Sequence, residues 1–456
     1  MMKRIIRSPD EGSYRDPDGF VFLRGGEVFR QVNMSYKDDY DWLMSSGLYS
    51  KLTKEEWLVA HKEVEKGKGE GGYKIIKPEQ IPFISYPYEW CFSQLKEAAL
   101  LTLKIELICL EHGMSLKDAS AYNIQFVGTK PILIDSLSFE KYKENQPWVA
   151  YRQFCQHFLA PLALMATKDI RLGELMKIYI DGLPLDLTER LLPVAAFLDL
   201  GILGHIKLNA RAQGTQIKKP ERELKLSKRS LLSLIRHLYS TVEKLRLKRV
   251  KTEWGNYYQE TNYSKKAFGD KQRLVKKYLL KTRAKKVIDL GANSGVFSKI
   301  AADIGAETVS VDIDPLAVEK NYKNFRKGKD KILPLVVDLT NPSPALGWEN
   351  LERKAFLDRA GVETVMALAL IHHLVIGHNL SFEMIAKSLA RMGKYLIVEF
   401  IPKEDSKVQI LLQNREDIFD NYSEKFFEDI FKKFFKILDS QKIKDSKRII
   451  YLMERR

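Results

Sequence analysis

The sequence contains few cysteines and no long uninterrupted apolar run. Its three cysteines, Cys91, Cys109 and Cys155, have neither C-x-x-C nor metal-ligand spacing, which disfavours a disulfide framework or a zinc site and predicts reduced, buried thiols. The longest apolar stretch, residues 191–204, is interrupted by Asp199 and is too short to cross a bilayer. The first residues lack the apolar core of a signal peptide. We therefore expect a soluble, cytoplasmic protein without a membrane span.

The chain is long, and its charge is unevenly distributed. Its 456 residues, 45% of them hydrophobic, suffice for two domains with separate cores. Between His205 and Thr252 there are fourteen Lys or Arg and three Glu, in a chain whose net charge is +16. The first part of this stretch is polar, and from Leu231 the apolar spacing predicts a helix with one apolar and one basic face. We expect an N-terminal domain at residues 1–204, a basic helical linker at 205–252 and a C-terminal domain at 253–456.

A pattern of strand, turn, helix and strand lies between Val287 and Leu316. The first strand leads into a turn at residues 291–295, which reads Gly-Ala-Asn-Ser-Gly, and an amphipathic stretch follows. A second β-branched run ends in Asp312, twenty-one residues after Gly291. Glycines let the backbone approach a ligand closely, and the terminal carboxylate can accept hydrogen bonds from ribose hydroxyls. The pattern therefore predicts a nucleoside site, and a βαβ unit without a ligand is the alternative.

The turn differs from the G-x-G-x-x-G of a dinucleotide fold. It reads D-x-G-x-N-x-G, and the middle asparagine can replace glycine because asparagine enters the left-handed region readily. The segment resembles motif I of the class I S-adenosylmethionine-dependent methyltransferases, followed by their acidic second-strand motif. This resemblance implies S-adenosyl-L-methionine as cofactor. The cofactor-binding residues that it implies in this segment are Asp289, Gly291, Asn293, Gly295 and Asp312.

The resemblance continues to the end of the chain. A third apolar run is closed by Asp338, which by resemblance accepts a hydrogen bond from the adenine amino group. A helix is predicted from Ser381, because apolar residues recur after it at helical spacing. The remaining strands are predicted at residues 362–370, 395–400, 435–438 and 448–452. The implied fold is α/β, with a Rossmann-like seven-stranded sheet that has helices on both faces.

The acceptor side of the predicted site follows the fourth strand. Amino-methylating enzymes that act on nucleobases commonly have Asp or Asn, two prolines and an aromatic residue there, and one group of RNA 2′-hydroxyl methylators needs an acid near residues 367–369; neither occurs. Methyl transfer from the cofactor is an in-line displacement. It needs alignment above all, and it needs a base only for a nucleophile whose proton has a high pKa. His372 or His373 is the predicted base, with at most one facing the acceptor. A histidine that caps a turn or packs against the cofactor is the alternative.

Aromatic residues precede the helix that leads into the first strand. Trp254, Tyr257, Tyr258 and Tyr263 stand before Lys271. In class I methyltransferases this upstream segment often folds over the cofactor, and a polar group meets the methionine carboxylate. The resemblance therefore implies Tyr263 and Lys271 as further cofactor-binding residues. The alternative is that the aromatic residues dock the helix on the sheet.

A second resemblance lies in the first 200 residues. Residues 92–110 are apolar on most faces, which predicts a buried helix. After this helix, Asn123 follows Asp118 by five positions, and a predicted hairpin closes at Asp135. This order resembles the catalytic segment of the protein-kinase-like fold, in which the first Asp orients the acceptor hydroxyl, while the Asn and the last Asp hold magnesium on the nucleotide phosphates. The resemblance implies Asn123 and Asp135 as metal ligands, and ATP with Mg²⁺ as ligands, if this domain is active.

Several features depart from that family. Leu116-Lys117 stand where His-Arg is usual, and Ser136-Leu137 follow the last Asp where Phe-Gly is usual. No glycine-rich phosphate loop precedes them, only Gly25-Gly26 in a predicted hairpin, and no clear strand lysine is present. We therefore expect a separate α+β domain that is degenerate kinase-like or recruits a substrate. A helix and hairpin whose acids cap turns is the alternative.

The predicted function is S-adenosylmethionine-dependent methylation of a hydroxyl on a small-molecule or glycan acceptor. A competing hypothesis is an RNA-associated methyltransferase, because clustered cations supply phosphate affinity. A solvated basic helix that joins two domains is the favoured interpretation of those cations, so nucleic acid is not the favoured partner. A bifunctional kinase–methyltransferase and a cofactor-binding regulatory module without turnover are two further hypotheses.

Overall fold

The computed structural model describes residues 9–67, 69, 71–210, 225–248, 264–413 and 415–456. The chain divides into two compact units, one formed by Met1–Val250 with Ala345–Arg353 and the other by Lys251–Pro344 with Lys354–Arg456. Tyr263 and the aromatic residues before it lie outside the described residues. In the part of the chain that is described, no helix combines the length and the apolar character needed to cross a membrane.

The N-terminal unit begins with a four-stranded antiparallel sheet. Its strands are β1 (Gly19–Arg24), β2 (Glu27–Asn33), β3 (His61–Lys66) and β4 (Gly72–Pro78), in the order β1-β2-β4-β3. Gly25 and Gly26 join β1 to β2 with positive φ angles of 61° and 83°, as the predicted hairpin requires. The short helices α1 (Lys37–Ser45) and α2 (Leu48–Lys54) connect β2 to β3.

The predicted buried helix and hairpin are both confirmed. Helix α3 (Phe92–Glu111) is buried along most of its length. The strands that follow are β5 (Met114–Leu116), β6 (Ile124–Val127), β7 (Lys130–Leu133) and β8 (Phe139–Lys141), with β6 paired to β7 and β5 to β8. The hairpin is shorter than predicted, since β7 ends at Leu133. Asp135 lies beyond it and accepts the Leu137 N–H at 2.7 Å, which turns the chain away from the ladder.

Helices complete the N-terminal unit. They are α4 (Tyr151–Phe154), α5 (Ala160–Thr167), α6 (Leu185–Leu191), α7 (Leu200–Ile202) and α8 (Lys228–Lys244). Helix α8 coincides with the predicted amphipathic helix, and its apolar face packs against α3. Lys96 of α3 donates to the carbonyls of Glu243 and Leu245, both at 2.8 Å, which satisfies acceptors at the end of α8. The described part of the sequence expected to act as a linker therefore lies largely within the packed N-terminal unit.

The second unit is built around a seven-stranded mixed sheet. Its strands are β9 (Lys286–Leu290), β10 (Glu307–Asp312), β11 (Ile332–Val336), β12 (Val362–Ala367), β13 (Gly393–Phe400), β14 (Phe435–Lys442) and β15 (Ile449–Arg455). The order is β11-β10-β9-β12-β13-β15-β14, parallel from β9 to β13, with β15 antiparallel to β13 and β14. This sheet confirms the α/β, seven-stranded prediction.

Helices pack on this sheet. They are α9 (Lys265–Thr282), α10 (Val296–Asp303), α11 (Pro315–Phe325), α12 (Phe356–Arg359), α13 (Phe382–Met392), α14 (Ser406–Leu412) and α15 (Glu424–Phe434). Helices α9 and α10 share an apolar core with β9, β13 and β15. One strand differs from its prediction: β12 ends at Ala367 rather than at residue 370. Ala369 has a φ of 51°, a left-handed conformation that no strand accommodates.

The three cysteines are buried and none is bridged, as predicted. Burial raises the pKa of the Cys155 thiol to about 12. This thiol is therefore protonated at neutral pH and is a poor nucleophile.

Candidate cofactor and acceptor site

A cavity of about 340 Å³ opens in the second unit. The carboxyl ends of β9, β10, β11 and β12 all contribute to its lining through residues at or just after each strand. In open α/β sheets, ligands bind outside the carboxyl ends of the strands, where neighbouring connections run in opposite directions. Six of the residues predicted to bind the cofactor line the cavity: Lys271, Asp289, Gly291, Asn293, Asp312 and Asp338.

The glycine turn forms one edge of the cavity. Gly291, Asn293 and Gly295 have φ angles of 73°, 50° and 83°, so the asparagine does occupy the left-handed region. The N–H groups of Gly291 and Ala292 donate to the Val311 carbonyl at 2.8 and 2.9 Å, which ties the turn to β10. Gly291 lines the cavity with its backbone.

Gly295, unlike Gly291, is required for helix packing. It precedes α10 and is not among the residues that line the cavity. A Cβ there would lie 2.6 Å from Asn321 Oδ1 and 2.8 Å from Phe325 Cε2. The second glycine of the turn therefore lets α10 and α11 approach each other, which holds the turn in place.

Asp312 ends β10 and lines the cavity. Its Oδ2 accepts the Asn293 N–H at 2.8 Å, and its Oδ1 accepts the Asp314 N–H at 2.9 Å. A carboxylate oxygen can accept a second hydrogen bond, so both oxygens retain capacity for a ligand. Burial raises the pKa of Asp312 to about 6, and hydrogen bonds from the backbone N–H groups of Asp314, Asn293 and Ile313 oppose that rise. The carboxylate is therefore largely ionised at neutral pH.

Two more carboxylates line the same cavity. Asp289 lies in β9, and its Oδ2 accepts the Ser298 hydroxyl at 2.7 Å. Burial raises the pKa of Asp289 to about 6, against the lowering effect of the Ser298 bond. Asp338 follows β11 and accepts the N–H and hydroxyl of Thr340 at 2.8 and 2.6 Å through one oxygen.

The cation of the cavity is Lys271. Its Nζ lies 2.7 Å from Glu399 Oε2 in β13 and 4.7 Å from the centre of the Phe297 ring. Burial lowers the pKa of Lys271, and the carboxylate of Glu399 opposes that shift. Of the described residues that line the cavity, Lys271 is the one Lys or Arg.

The two predicted histidines have different environments. Residues His373–Gly377 form a short π-helix after β12, and His373, but not His372, lines the cavity. His372 is 2% exposed, and within the described residues its Nδ1 has no hydrogen-bond partner. Burial lowers the pKa of His373 to about 4, and the charges of His378, Lys407 and Arg448 lower it further. His373 is therefore a neutral imidazole at physiological pH.

Several residues that line the cavity were not predicted from the sequence. They include the apolar residues Leu370, Leu374 and Leu411, together with His378. Glu399 was missed as well, although a carboxylate inside the apolar run of β13 is an unusual signal. Its partner Lys271 is 128 positions away in the sequence, a distance over which pattern reasoning cannot pair residues.

The N-terminal unit holds the second predicted cluster. Asp118, Asn123 and Asp135 lie near one another, and the Asn123 side chain hydrogen-bonds to Asp118. The Asp135 carboxylate forms an ion pair with Arg30 of β2, and Asn123 Nδ2 donates to the Ser138 hydroxyl at 3.1 Å. Burial raises the pKa of Asp118, and the negative charge of Asp135 adds to that rise. No group of three or more His, Cys, Asp or Glu within the described ranges is arranged to hold a metal ion.

Comparison with known proteins bears on both units. The family profile of ribosomal protein L11 methyltransferase (PrmA) matches residues 273–343, which contain the glycine turn and the first three strands of the sheet. Over 456 aligned residues, the chain is 32% identical to nodulation protein NoeA of Rhizobium meliloti (strain 1021), covering 97% of this chain and 95% of the relative. The chain belongs to the NoeA family.

Solved structures similar to this NoeA-family chain include two methyltransferases. N-methyltransferase NodS from Bradyrhizobium japonicum WM9 is 10% identical, with a TM-score of 0.32, and the match covers 42% of this chain and 98% of NodS. Magnesium protoporphyrin IX methyltransferase (ChlM) from Synechocystis PCC 6803 is 17% identical, with a TM-score of 0.30, and the match covers 44% and 88%. Both TM-scores are below 0.5, so neither likeness bears on function.

The sheet order, the glycine turn and the family profile agree. The C-terminal unit of this NoeA-family chain is an S-adenosylmethionine-dependent methyltransferase, and S-adenosyl-L-methionine is its cofactor. The described lining of the cavity includes a glycine with a positive φ, three carboxylates and one lysine. Its volume of about 340 Å³ lies within the range of ligand pockets.

Proposed function

We propose that this NoeA-family chain methylates a hydroxyl group on a small-molecule or glycan acceptor, in the cavity of its second unit. The observation that carries the proposal is a neutral imidazole, His373, in a wall that is otherwise mainly apolar. Such a wall suits an uncharged nucleophile and a base that can take its proton. The sequence after β12 also lacks the proline-aromatic motif that favours nucleobase amines.

Three residues are proposed to orient the cofactor. Asp312 would accept hydrogen bonds from the two ribose hydroxyls, because each of its oxygens already holds one backbone donor and can accept another. Asp338 would accept from the adenine amino group at the end of β11. Lys271 would face the methionine carboxylate, since it is the cation among the described lining residues. Asp289 and the turn at Gly291 and Asn293 would enclose the remaining part of the cofactor.

His373 would act on the acceptor. The cofactor, when bound, supplies a methyl group on a positively charged sulfur. His373 would hold the acceptor hydroxyl by accepting its hydrogen bond. It would take the proton as the oxygen bonds in line to the methyl carbon, while the methyl–sulfur bond would break and leave a neutral thioether. General bases contribute about 10²- to 10⁴-fold. Because the lowered pKa makes His373 a weak base, we expect the lower end of that range, with alignment supplying most of the acceleration.

Methyl transfer to matched acceptors tests this proposal. The intact chain is incubated with methyl-labelled cofactor and neutral oligosaccharides, beside counterparts that carry an amino group in place of a hydroxyl. We expect labelled product from the hydroxyl acceptors. His373→Ala should lower kcat by about 10² while leaving cofactor affinity unchanged.

A matched variant supplies the control. His378→Ala removes another histidine of the same wall and should leave kcat within a few-fold of the parent. Transfer to the amino acceptors alone would refute hydroxyl methylation. Equal losses of kcat from both histidine variants would remove the special role of His373.

For the N-terminal unit we propose acceptor recruitment rather than phosphate transfer. The ion pair with Arg30 engages the Asp135 carboxylate, which a kinase would direct to magnesium. Asp118 is largely buried and is held by Asn123 and the Ser120 N–H. These contacts support an internal polar network more than an open nucleotide site.

A further inference from the structure

The buried ion pair between Lys271 and Glu399 has its lysine on the side of the cavity. The Lys271 and Glu399 side chains are 3% and 0% exposed, and Nζ lies 2.7 Å from Oε2. Lys271 lines the cavity, whereas Glu399 is not among the lining residues. The pair therefore presents its cationic end to a ligand, with the carboxylate behind. Desolvation offsets most of the attraction in such a pair, so stability alone gives little reason for it.

The charge of the remaining wall makes this orientation important. Asp289, Asp312 and Asp338 are the carboxylates of the lining. Each would repel an anionic group of a bound ligand. A carboxylate on the ligand is therefore driven toward Lys271, and its placement depends on where Glu399 holds the ammonium group.

Glu399 also fixes a second part of the wall. The oxygen that pairs with Lys271 accepts the Ala369 N–H at 2.8 Å. Ala369 lines the cavity and has a φ of 51°. This left-handed conformation is unfavourable for an alanine and persists only where surrounding contacts impose it. One carboxylate oxygen thus holds both the cation and the turn that follows β12.

Arg448 supports Glu399 from the other side. Its side chain is 2% exposed, and its Nη1 lies 3.9 Å from Glu399 Oε1. Its Nε and Nη2 donate to the two oxygens of Asp405 at 2.7 and 2.9 Å. Asp405 caps α14, whose Leu411 lines the cavity. The network therefore links the cofactor side of the cavity to its acceptor side.

We propose that Glu399 is a positioning residue for the amino-acid end of the cofactor: it holds the Lys271 ammonium and the Ala369 turn in the geometry that receives a ligand carboxylate. This inference rests on the proposed placement of the cofactor in the cavity. Glu399 touches no reacting atom, and it acts through Lys271 and the turn.

The test is the pH dependence of binding by Glu399→Gln. The charged and titratable groups that face Lys271 are Glu399, Asp289, Arg448 and His372. Burial already lowers the pKa of Lys271, and losing its counter-charge lowers it further. The variant's affinity for S-adenosylhomocysteine, measured by calorimetry, should therefore fall by about tenfold or more relative to the parent once the amine is neutral, and the difference between variant and parent should widen as the pH rises.

A truncated ligand separates positioning from folding. 5′-Methylthioadenosine lacks the amino-acid end, so Glu399→Gln should bind it as the parent does at every pH. Glu319→Gln is the matched control, because Glu319 is a buried acid paired with Lys323 at 2.8 Å, away from the cavity. Its binding of S-adenosylhomocysteine should follow the parent's pH profile.

Each outcome bears on a different claim. A pH profile for Glu399→Gln identical to the parent's would overturn the positioning role and leave the proposed function standing. A parent that binds neither ligand would overturn both. Should Glu399→Gln fail to fold, the doubly neutral variant Lys271→Met/Glu399→Gln carries the test. It should bind S-adenosylhomocysteine weakly at every pH and retain 5′-methylthioadenosine, and equal losses for the two ligands would count against the proposal.

Discussion

Removal of the Asp312 carboxylate should weaken cofactor binding without unfolding the protein. In the structure both oxygens accept a backbone N–H, from Asn293 and Asp314, at 2.8 and 2.9 Å. The proposed ribose bonds use the remaining acceptor capacity of the same oxygens. Asp312→Ala therefore removes the ribose contacts and also leaves two N–H groups to bond to water in the cavity.

The expected loss follows from the charge on the acceptor. A hydrogen bond to an ionised group contributes about 1.5–3 kcal/mol, and about 1.4 kcal/mol corresponds to a tenfold change in affinity. Losing even one ribose bond should weaken binding at least about tenfold, and losing both should weaken it more. Calorimetric titration of S-adenosylmethionine, with thermal unfolding as a check on folding, measures this directly.

Acid pH should act on affinity and stability in opposite directions. The pKa of Asp312 in the folded protein is about 6, above the ordinary value of about 3.9 for an unfolded chain. The folded state therefore takes up a proton between those values, and this group's contribution to stability rises as pH falls through that window. Cofactor affinity should fall over the same window, because the protonated carboxyl is a poorer acceptor.

Asp314→Ala is the control for Asp312. Asp314 caps α11 by accepting the Leu316 N–H at 2.8 Å and is not among the residues lining the cavity. Losing this cap should cost about 1 kcal/mol of stability with little change in affinity. Unchanged affinity in a folded Asp312→Ala protein would refute the ribose assignment.

Two further predictions concern packing and the N-terminal unit. Gly295→Ala should lower the free energy of unfolding by about 1–3 kcal/mol, and with it the melting temperature, because the new Cβ would meet Phe325 and the φ is positive. A variant as stable as the parent would contradict the packing role. ATP with Mg²⁺ should leave the melting temperature of the intact chain nearly unchanged, since Arg30 already engages Asp135. A magnesium-dependent rise that Asp135→Asn abolishes, together with phosphate transfer, would instead support a bifunctional kinase–methyltransferase.

The convergence of the glycine turn and Asp312 on one cavity could be predicted from sequence because it is local. The turn at Gly291 and the acid at Asp312 belong to one strand–helix–strand unit, in which spacing along the chain fixes spacing in space. The same reasoning placed Asp338 at the end of the next parallel strand. Gly295 was grouped with the binding residues, although in the structure it serves the packing of two helices.

The part of the cavity that follows β12 depends on contacts that spacing does not encode. Which of two adjacent histidines faces the cavity is decided by the π-helix that begins at His373. The early end of β12 depends on a hydrogen bond from Ala369 to Glu399, thirty positions away. Likewise, the Arg30 side chain that engages Asp135 comes from a strand 105 positions earlier. None of these partners could be paired from pattern alone.

A crystal structure of the intact chain with S-adenosylhomocysteine tests the central claim most directly. We expect the ligand in the cavity of the second unit, with its ribose hydroxyls on Asp312, its adenine at Asp338 and its carboxylate beside Lys271. A ligand bound elsewhere, or bound in the cavity with its amino-acid end toward Asp338, would contradict that claim.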